Sequence, residues 1–213
     1  MDGSQCQPRG GAVIETTPVA HVPFLARLRV ETRLEHDAIE AVLDLTGGGL
    51  TRDGYRLTLE RFYGYYQPLE DAVRAVEGWA GHGFDPDERR KTSLLESDLR
   101  VIGVDAPDWL PVCRNLPRVD SVAAAFGCLY VTEGATLGGQ VISRHVRQTL
   151  GVTPETGGRF FHGYGDRTGV MWQTFRTALA AFATTQDTQD QVAAAAVQTF
   201  RTLRAWCERR EVA

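Results

Sequence analysis

The stretch LYVTEGATLGGQVISRHV, Leu129 to Val146, decides how the rest of the chain is read. Its apolar residues Leu129, Val131, Leu137, Val141, Ile142 and Val146 recur at helical spacing, yet Gly134, Gly138 and Gly139 sit in the middle. An interior glycine costs about 1 kcal/mol against alanine, so three within two turns need a compensating cause. Close helix–helix packing is one, and a break into two helices is another. The third is a kinked helix whose bare backbone lies on a flat ligand. Spacing alone leaves these open.

Outward from this stretch the chain reads as helices throughout. Asp120 or Ser121 is placed to cap the glycine helix, which runs to Leu150. Upstream, Phe24 to Leu45 carries Leu25, Leu28, Thr32, His36, Ile39 and Leu43 on one stripe, and Gly47-Gly48-Gly49 follows as a stop. A second helix starts at Thr51 with Tyr55, Leu59, Phe62, Tyr66 and Leu69 on its inner face, and a kink is expected at Pro68. Asp85-Pro86-Asp87 opens a third that runs to about Ile102. Downstream, Gly151 to Gly165 is a loop holding Phe160, Phe161 and Tyr164. One helix with Trp172, Phe175, Leu179 and Phe182 follows, and a last one runs from about Thr188 to Arg209. No stretch alternates strictly and none repeats, so the expected architecture is all-α, a single domain of six or seven helices over residues 23–209. Residues 1–22 form an N-terminal arm and 210–213 a tail.

The 213 residues, 43% of them hydrophobic, suffice for one sizeable core. A net charge of −4 speaks against a nucleic-acid-binding surface. No apolar run approaches the roughly 18 residues a membrane span needs, and the N-terminus lacks the layout of a secretory signal. The four cysteines, Cys6, Cys113, Cys128 and Cys207, form no C-x-x-C pair and suit reduced thiols in a cytoplasmic protein.

Phosphate loops, dinucleotide fingerprints, nucleophile elbows and paired-histidine metal motifs are all missing. Among five isolated histidines, His36 stands out because it interrupts the apolar stripe of the first helix. It reads either as a satisfied core histidine or as a ligand. Arg29 lies seven residues earlier on the same face, about 10 Å away at 1.5 Å per residue. An imidazole among apolar side chains with a cation at the rim suits an iron porphyrin carrying acidic side arms. A glycine-rich helix opposite would leave the iron's sixth position free. Glu40, one turn on, reads as solvated.

Three segments, LRVETRLEHDAIEAVLDL, LYVTEGATLGGQVISRHV and FFHGYGDRTGVMWQTFRTAL, resemble the biliverdin-producing haem oxygenases, most closely the bacterial type associated with bacteriophytochromes. The resemblance covers roughly residues 24 to 208. It implies haem held between the first helix and a kinked, glycine-rich distal helix, as substrate and cofactor together. By position it makes His36 the axial iron ligand and names His36, Gly134 and Gly138 as catalytic. Gly134, Gly138 and Gly139 would contact haem, and Tyr130, Arg29 and Arg176 would approach the propionates. The implied reaction cleaves haem to biliverdin, the alpha isomer, with release of CO and ferrous iron. It uses O2 and a reductant such as ferredoxin or ascorbate, and a bacteriophytochrome is the implied user of biliverdin. One departure stands out. Many relatives carry an aspartate directly after the first distal glycine, and this chain has Ala135. Thr132, Glu133 and Thr136 are the candidate substitutes, although a glutamate inside a helix is usually solvated. A non-catalytic haem carrier or sensor of the same fold is the alternative.

Overall fold

The computed structural model describes residues 23–209; the expected arm and tail lie outside them. The described residues contain seven α-helices and no strand: α1 Phe24–Leu43, α2 Arg52–Arg74, α3 Thr92–Val101, α4 Val122–Leu150, α5 Arg159–His162, α6 Thr168–Phe182 and α7 Gln186–Cys207. The all-α expectation therefore holds.

Local chemistry sets most of the boundaries. Thr51 caps α2 by accepting the Gly54 N–H at 3.1 Å, and Ser121 caps α4 by accepting that of Ala124 at 3.1 Å. Gly151, at φ 67°, ends α4 in the left-handed conformation that glycine adopts without strain. Asp44, at φ 40°, ends α1 just ahead of the glycine triplet. Pro68 lies inside α2 without ending it.

The third helix departs from expectation. Only a single 3₁₀ turn, Asp87–Arg89, forms after Pro86, and α3 proper begins at Thr92. The cause lies on another helix. The buried Glu70 carboxylate of α2 accepts the backbone N–H groups of Lys91 at 2.7 Å and Thr92 at 3.2 Å, and the Thr92 hydroxyl at 2.6 Å. Those are the donors that a new helix leaves unpaired in its first turn, so Glu70 sets the start of α3. A similar long-range cap organises the stretch expected to be a loop. Asp98 accepts the N–H groups of Arg159 and Phe160, at 2.9 and 2.8 Å, and α5 forms there.

Helix α7 runs through the middle and packs against α1, α2 and α4. Tyr65 of α2 is fully buried and donates its hydroxyl to the Thr199 carbonyl at 2.9 Å. Trp206 donates Nε1 to the Arg61 carbonyl at 2.7 Å. Between α4 and α7 the backbones approach so closely that a Cβ built on Gly127 would stand 2.5 Å from the Val192 carbonyl oxygen. Phe62, Tyr66, Phe160 and Phe161 form an aromatic cluster that joins α2 to α5. Cys113, Cys128 and Cys207 are buried free thiols. No helix among the described residues is long and apolar enough to cross a membrane.

Gly127→Ala tests the central contact. The added methyl group meets backbone on α7, so urea denaturation is expected to show a loss of about 1–3 kcal/mol. An unchanged midpoint would contradict the close approach of α4 to α7.

Candidate functional site

The residues singled out from the sequence fall on α1, α4 and α6; α6 contacts both α1 and α4, and α7 packs against α1 and α4. Glu35, one residue before His36, is buried and pairs with Arg201 Nε of α7 at 2.7 Å, with Arg204 Nη2 at 3.7 Å. This fastens α1 to α7 and fixes which way the next residue faces. His36 is no core histidine: its side chain is 51% exposed, and its ring lies edge-on to Phe200 at 5.8 Å. Nδ1 stands 3.6 Å from both Asp37 Oδ1 and Glu40 Oε2, too long for a hydrogen bond. Glu40 is accordingly a solvated neighbour. The three residues bring potential ligand atoms within 4.8 Å of one another, all on an exposed helix surface.

Helix α4 is continuous across all three glycines, which removes the two-helix alternative. The other two explanations divide among the residues. Gly139 is buried, and a Cβ there would stand 2.9 Å from the Phe161 carbonyl oxygen, so packing against α5 accounts for it. Gly138 is exposed, with nothing within 4 Å of its Cβ position. Gly134 meets only the far edge of the Trp172 ring, at an ordinary 3.7 Å. Packing explains neither of these two. Exposed Ala135 and the part-exposed Leu137 and Val141 continue the same uncovered region of α4.

Tyr130, one turn before Gly134, lies 5.8 Å from Trp172 between ring centroids. Burial pushes its phenol above the ordinary range; the Thr32 hydroxyl and the charges of Arg29 and Arg176 pull the other way. Arg29 from α1, Tyr130 from α4 and Arg176 from α6 are thus brought together. Among the described residues neither arginine has a carboxylate within ion-pair distance. Two such cations beside a phenol make a seat for an anionic group.

Glu133 departs from expectation. Rather than being solvated it is fully buried, and it bonds Arg89, Lys91 and Tyr164. Its neighbours are committed within the helix: Thr132 donates to the Leu129 carbonyl at 3.4 Å and Thr136 to that of Glu133 at 2.6 Å. The sequence carries a faint sign of the burial, since Glu133 stands between apolar Leu129 and Val131 and three small or apolar residues. The cations that neutralise it lie over 40 positions upstream.

The family model described as "Heme oxygenase" matches residues 22–209. A curated heme oxygenase from Xanthomonas campestris pv. campestris (strain 8004) is 34% identical over 107 residues, which are 47% of this chain. The match spans 58% of that relative's length. Among solved structures, the NO- and CO-bound heme oxygenase from Neisseria meningitidis superposes with a TM-score of 0.69 at 18% identity, covering 91% of this chain and 96% of that one. Heme oxygenase from Leptospira interrogans gives 0.70 at 21% identity, covering 87% and 98%. Heme oxygenase-1 from Synechocystis sp. PCC 6803, in complex with heme, gives 0.66 at 17% identity, covering 87% and 91%. At these identities the structural likeness speaks for the fold.

The division among the glycines is testable without any ligand. In the free protein Gly138→Ala is expected to be neutral or to gain up to about 1 kcal/mol, because helix propensity improves with no steric cost. Gly139→Ala is expected to lose about 1–3 kcal/mol as its methyl group meets the Phe161 backbone. Thermal or urea unfolding of the two variants reads the contrast. Equal losses at both positions would mean that packing governs all of α4.

Proposed function

The chain belongs to the haem oxygenase family, and from that premise we propose that it opens haem to biliverdin, releasing CO and ferrous iron with O2 and an external electron donor. One observation supports the reading: an exposed imidazole at His36 accompanies an α4 face on which Gly138 is open and Gly134 meets only the edge of the Trp172 ring. The residues present fit the group. His36 would offer a ring nitrogen to the iron. Gly134 and Gly138 would present backbone, not side chain, to the bound group. Gly139 acts one step back, setting how closely α4 lies on α5.

Bound haem supplies the redox-active iron and the carbon skeleton that is consumed. The chain's residues bind and orient it. Arg29, Arg176 and Tyr130 would hold the propionates and through them would orient the ring. That orientation sets which meso carbon is attacked, and we assign the alpha position. Leu137 and Val141 give apolar cover at the α4 edge. The free buried thiols suit a reducing cytoplasm. Ferredoxin in the cell, or ascorbate in vitro, supplies electrons, and a bacteriophytochrome takes up the product.

A second reading, a haem carrier or sensor, draws on Ala135, which offers no carboxylate beside Gly134. Aerobic turnover of the hemin complex with ascorbate or a ferredoxin system separates the two. Loss of the Soret band with growth of biliverdin absorbance is expected, and a persistent Soret band without biliverdin leaves the carrier. In a parallel titration His36→Ala is expected to change the hemin spectrum, so an identical spectrum would remove His36 as the ligand. Arg29→Ala and Arg176→Ala are each expected to weaken hemin binding about two- to fivefold, as exposed charge pairs do. The pair should also alter the isomer composition of biliverdin, read by chromatography.

A further inference from the structure

Glu133 is the fully buried carboxylate immediately before Gly134, and three residues from two separate segments converge on it. Arg89 of the 3₁₀ turn donates Nη1 to Oε2 at 3.0 Å, and Lys91 donates Nζ to Oε1 at 2.5 Å. Tyr164, beyond α5, donates its hydroxyl to Oε1 at 2.8 Å. The cations are fixed in turn. Arg89 Nη1 also donates to the Met171 carbonyl of α6 at 3.0 Å, and Lys91 Nζ to the Arg89 carbonyl at 2.9 Å. Both cations are almost wholly buried and lie over aromatic rings, Arg89 on Phe84 and Lys91 on Tyr164.

Stability alone is a poor account of this cluster. Removing charges from water costs several kcal/mol apiece, and apolar replacements of similar volume are often as stable or more so. What such a cluster supplies, and grease does not, is direction. On α4 the close contacts at Gly127 and Gly139 hold the helix on either side of this turn, and Glu133 is the buried polar anchor between them. Successive residues are about 100° apart around a helix, so a turn of one position would put Ala135 where Gly134 stands. The open face, formed by Gly134, Ala135 and Gly138, has no side chain large enough to lock that rotation.

We propose that Glu133 is a positioning residue for the reaction: held by Arg89, Lys91 and Tyr164, it fixes the rotation and height of α4 so that the Gly134 and Gly138 backbone, rather than a side chain, meets the haem and selects the meso carbon that is opened. The inference rests on the haem reading above. It also accounts for the late start of α3. Residues 87–91 hold one 3₁₀ turn instead of α-helix, from which Arg89 and Lys91 both reach one carboxylate while Glu70 pins the backbone behind them.

Two variants test it. Tyr164→Phe removes a single hydrogen bond and leaves every charge paired. The triple variant Arg89→Met, Lys91→Met, Glu133→Leu exchanges the cluster for apolar volume and is expected to fold. Both are loaded with hemin and compared with the wild-type complex in three readouts: hemin affinity, the spin-state signature of the ferric complex by visible and EPR spectroscopy, and the biliverdin isomer composition after turnover. Hemin affinity should stay within about threefold of wild type. The spin-state ratio should shift, and minor isomers should rise about fivefold in Tyr164→Phe, the equivalent of one net hydrogen bond, and further in the triple variant. Wild-type spectra and isomer composition in both variants would overturn the proposal, as would full recovery of the wild-type pattern in a stably folded triple variant. A wild-type chain that binds no hemin would overturn the haem reading and this inference with it. A wild-type chain that binds hemin but makes no biliverdin would end the oxygenase reading alone, with the spin-state comparison still deciding whether Glu133 positions α4.

Discussion

The close packing of α7 supports both α1, which carries His36, and α4, which carries the three glycines. Against α4 the contact is backbone on backbone, because Gly127 lets the helices approach to a distance that any Cβ would prevent. Against α1 the contact is ionic and aromatic, with Glu35 held by Arg201 and Arg204 and His36 set edge-on to Phe200. His36 and Gly138 both remain exposed with α7 so placed.

The same pattern occurs on both helices: a buried glutamate directly precedes the residue proposed to meet haem. Glu35 precedes His36, and Glu133 precedes Gly134. The two clamps differ in stiffness. Arg201 is 54% exposed, and a pair screened by solvent is worth at most about 1 kcal/mol. Arg89 and Lys91 are sheltered, and losing either would strand a buried charge at a cost of roughly 3–5 kcal/mol. Helix α4 is therefore held more rigidly than α1. That suits a site where the imidazole must follow an entering ligand while α4 keeps its orientation.

The helical architecture was legible in the sequence because local signals carry it: apolar stripes, Ser121 and Thr51 as caps, Gly151 as a stop. The family resemblance rested on the same local segments. What stayed hidden was settled at long range. Glu70 sets the start of α3 from 21 residues away, and Asp98 organises α5 from 61. The three glycines look alike as letters, yet Gly139 answers to the Phe161 backbone, Gly134 meets the edge of the Trp172 ring and Gly138 faces open space. Periodicity cannot separate them, since the difference lies in what another segment places opposite. Glu133 misled for the same reason, because a helix-interior acid is solvated unless distant cations bury it.

Ala135 then takes on a more definite meaning. With no carboxylate there, and with the Thr132 and Thr136 hydroxyls turned back onto carbonyls of their own helix, the uncovered part of α4 offers no polar side chain beside Gly134. It does offer backbone. A helical carbonyl uses one lone pair in its intrahelical bond and retains a second, which side chains normally screen. At Gly134 and Gly138 that screen is missing, so the accessible acceptors are the carbonyls of that turn. Their directions are set by the axis and rotation of α4, not by a rotamer. In a chain with a distal aspartate a tilted helix could be compensated by a side-chain torsion. Here it could not, and the need for direction passes to what holds the helix: the close contacts at Gly127 and Gly139 and, between them, the buried cluster around Glu133.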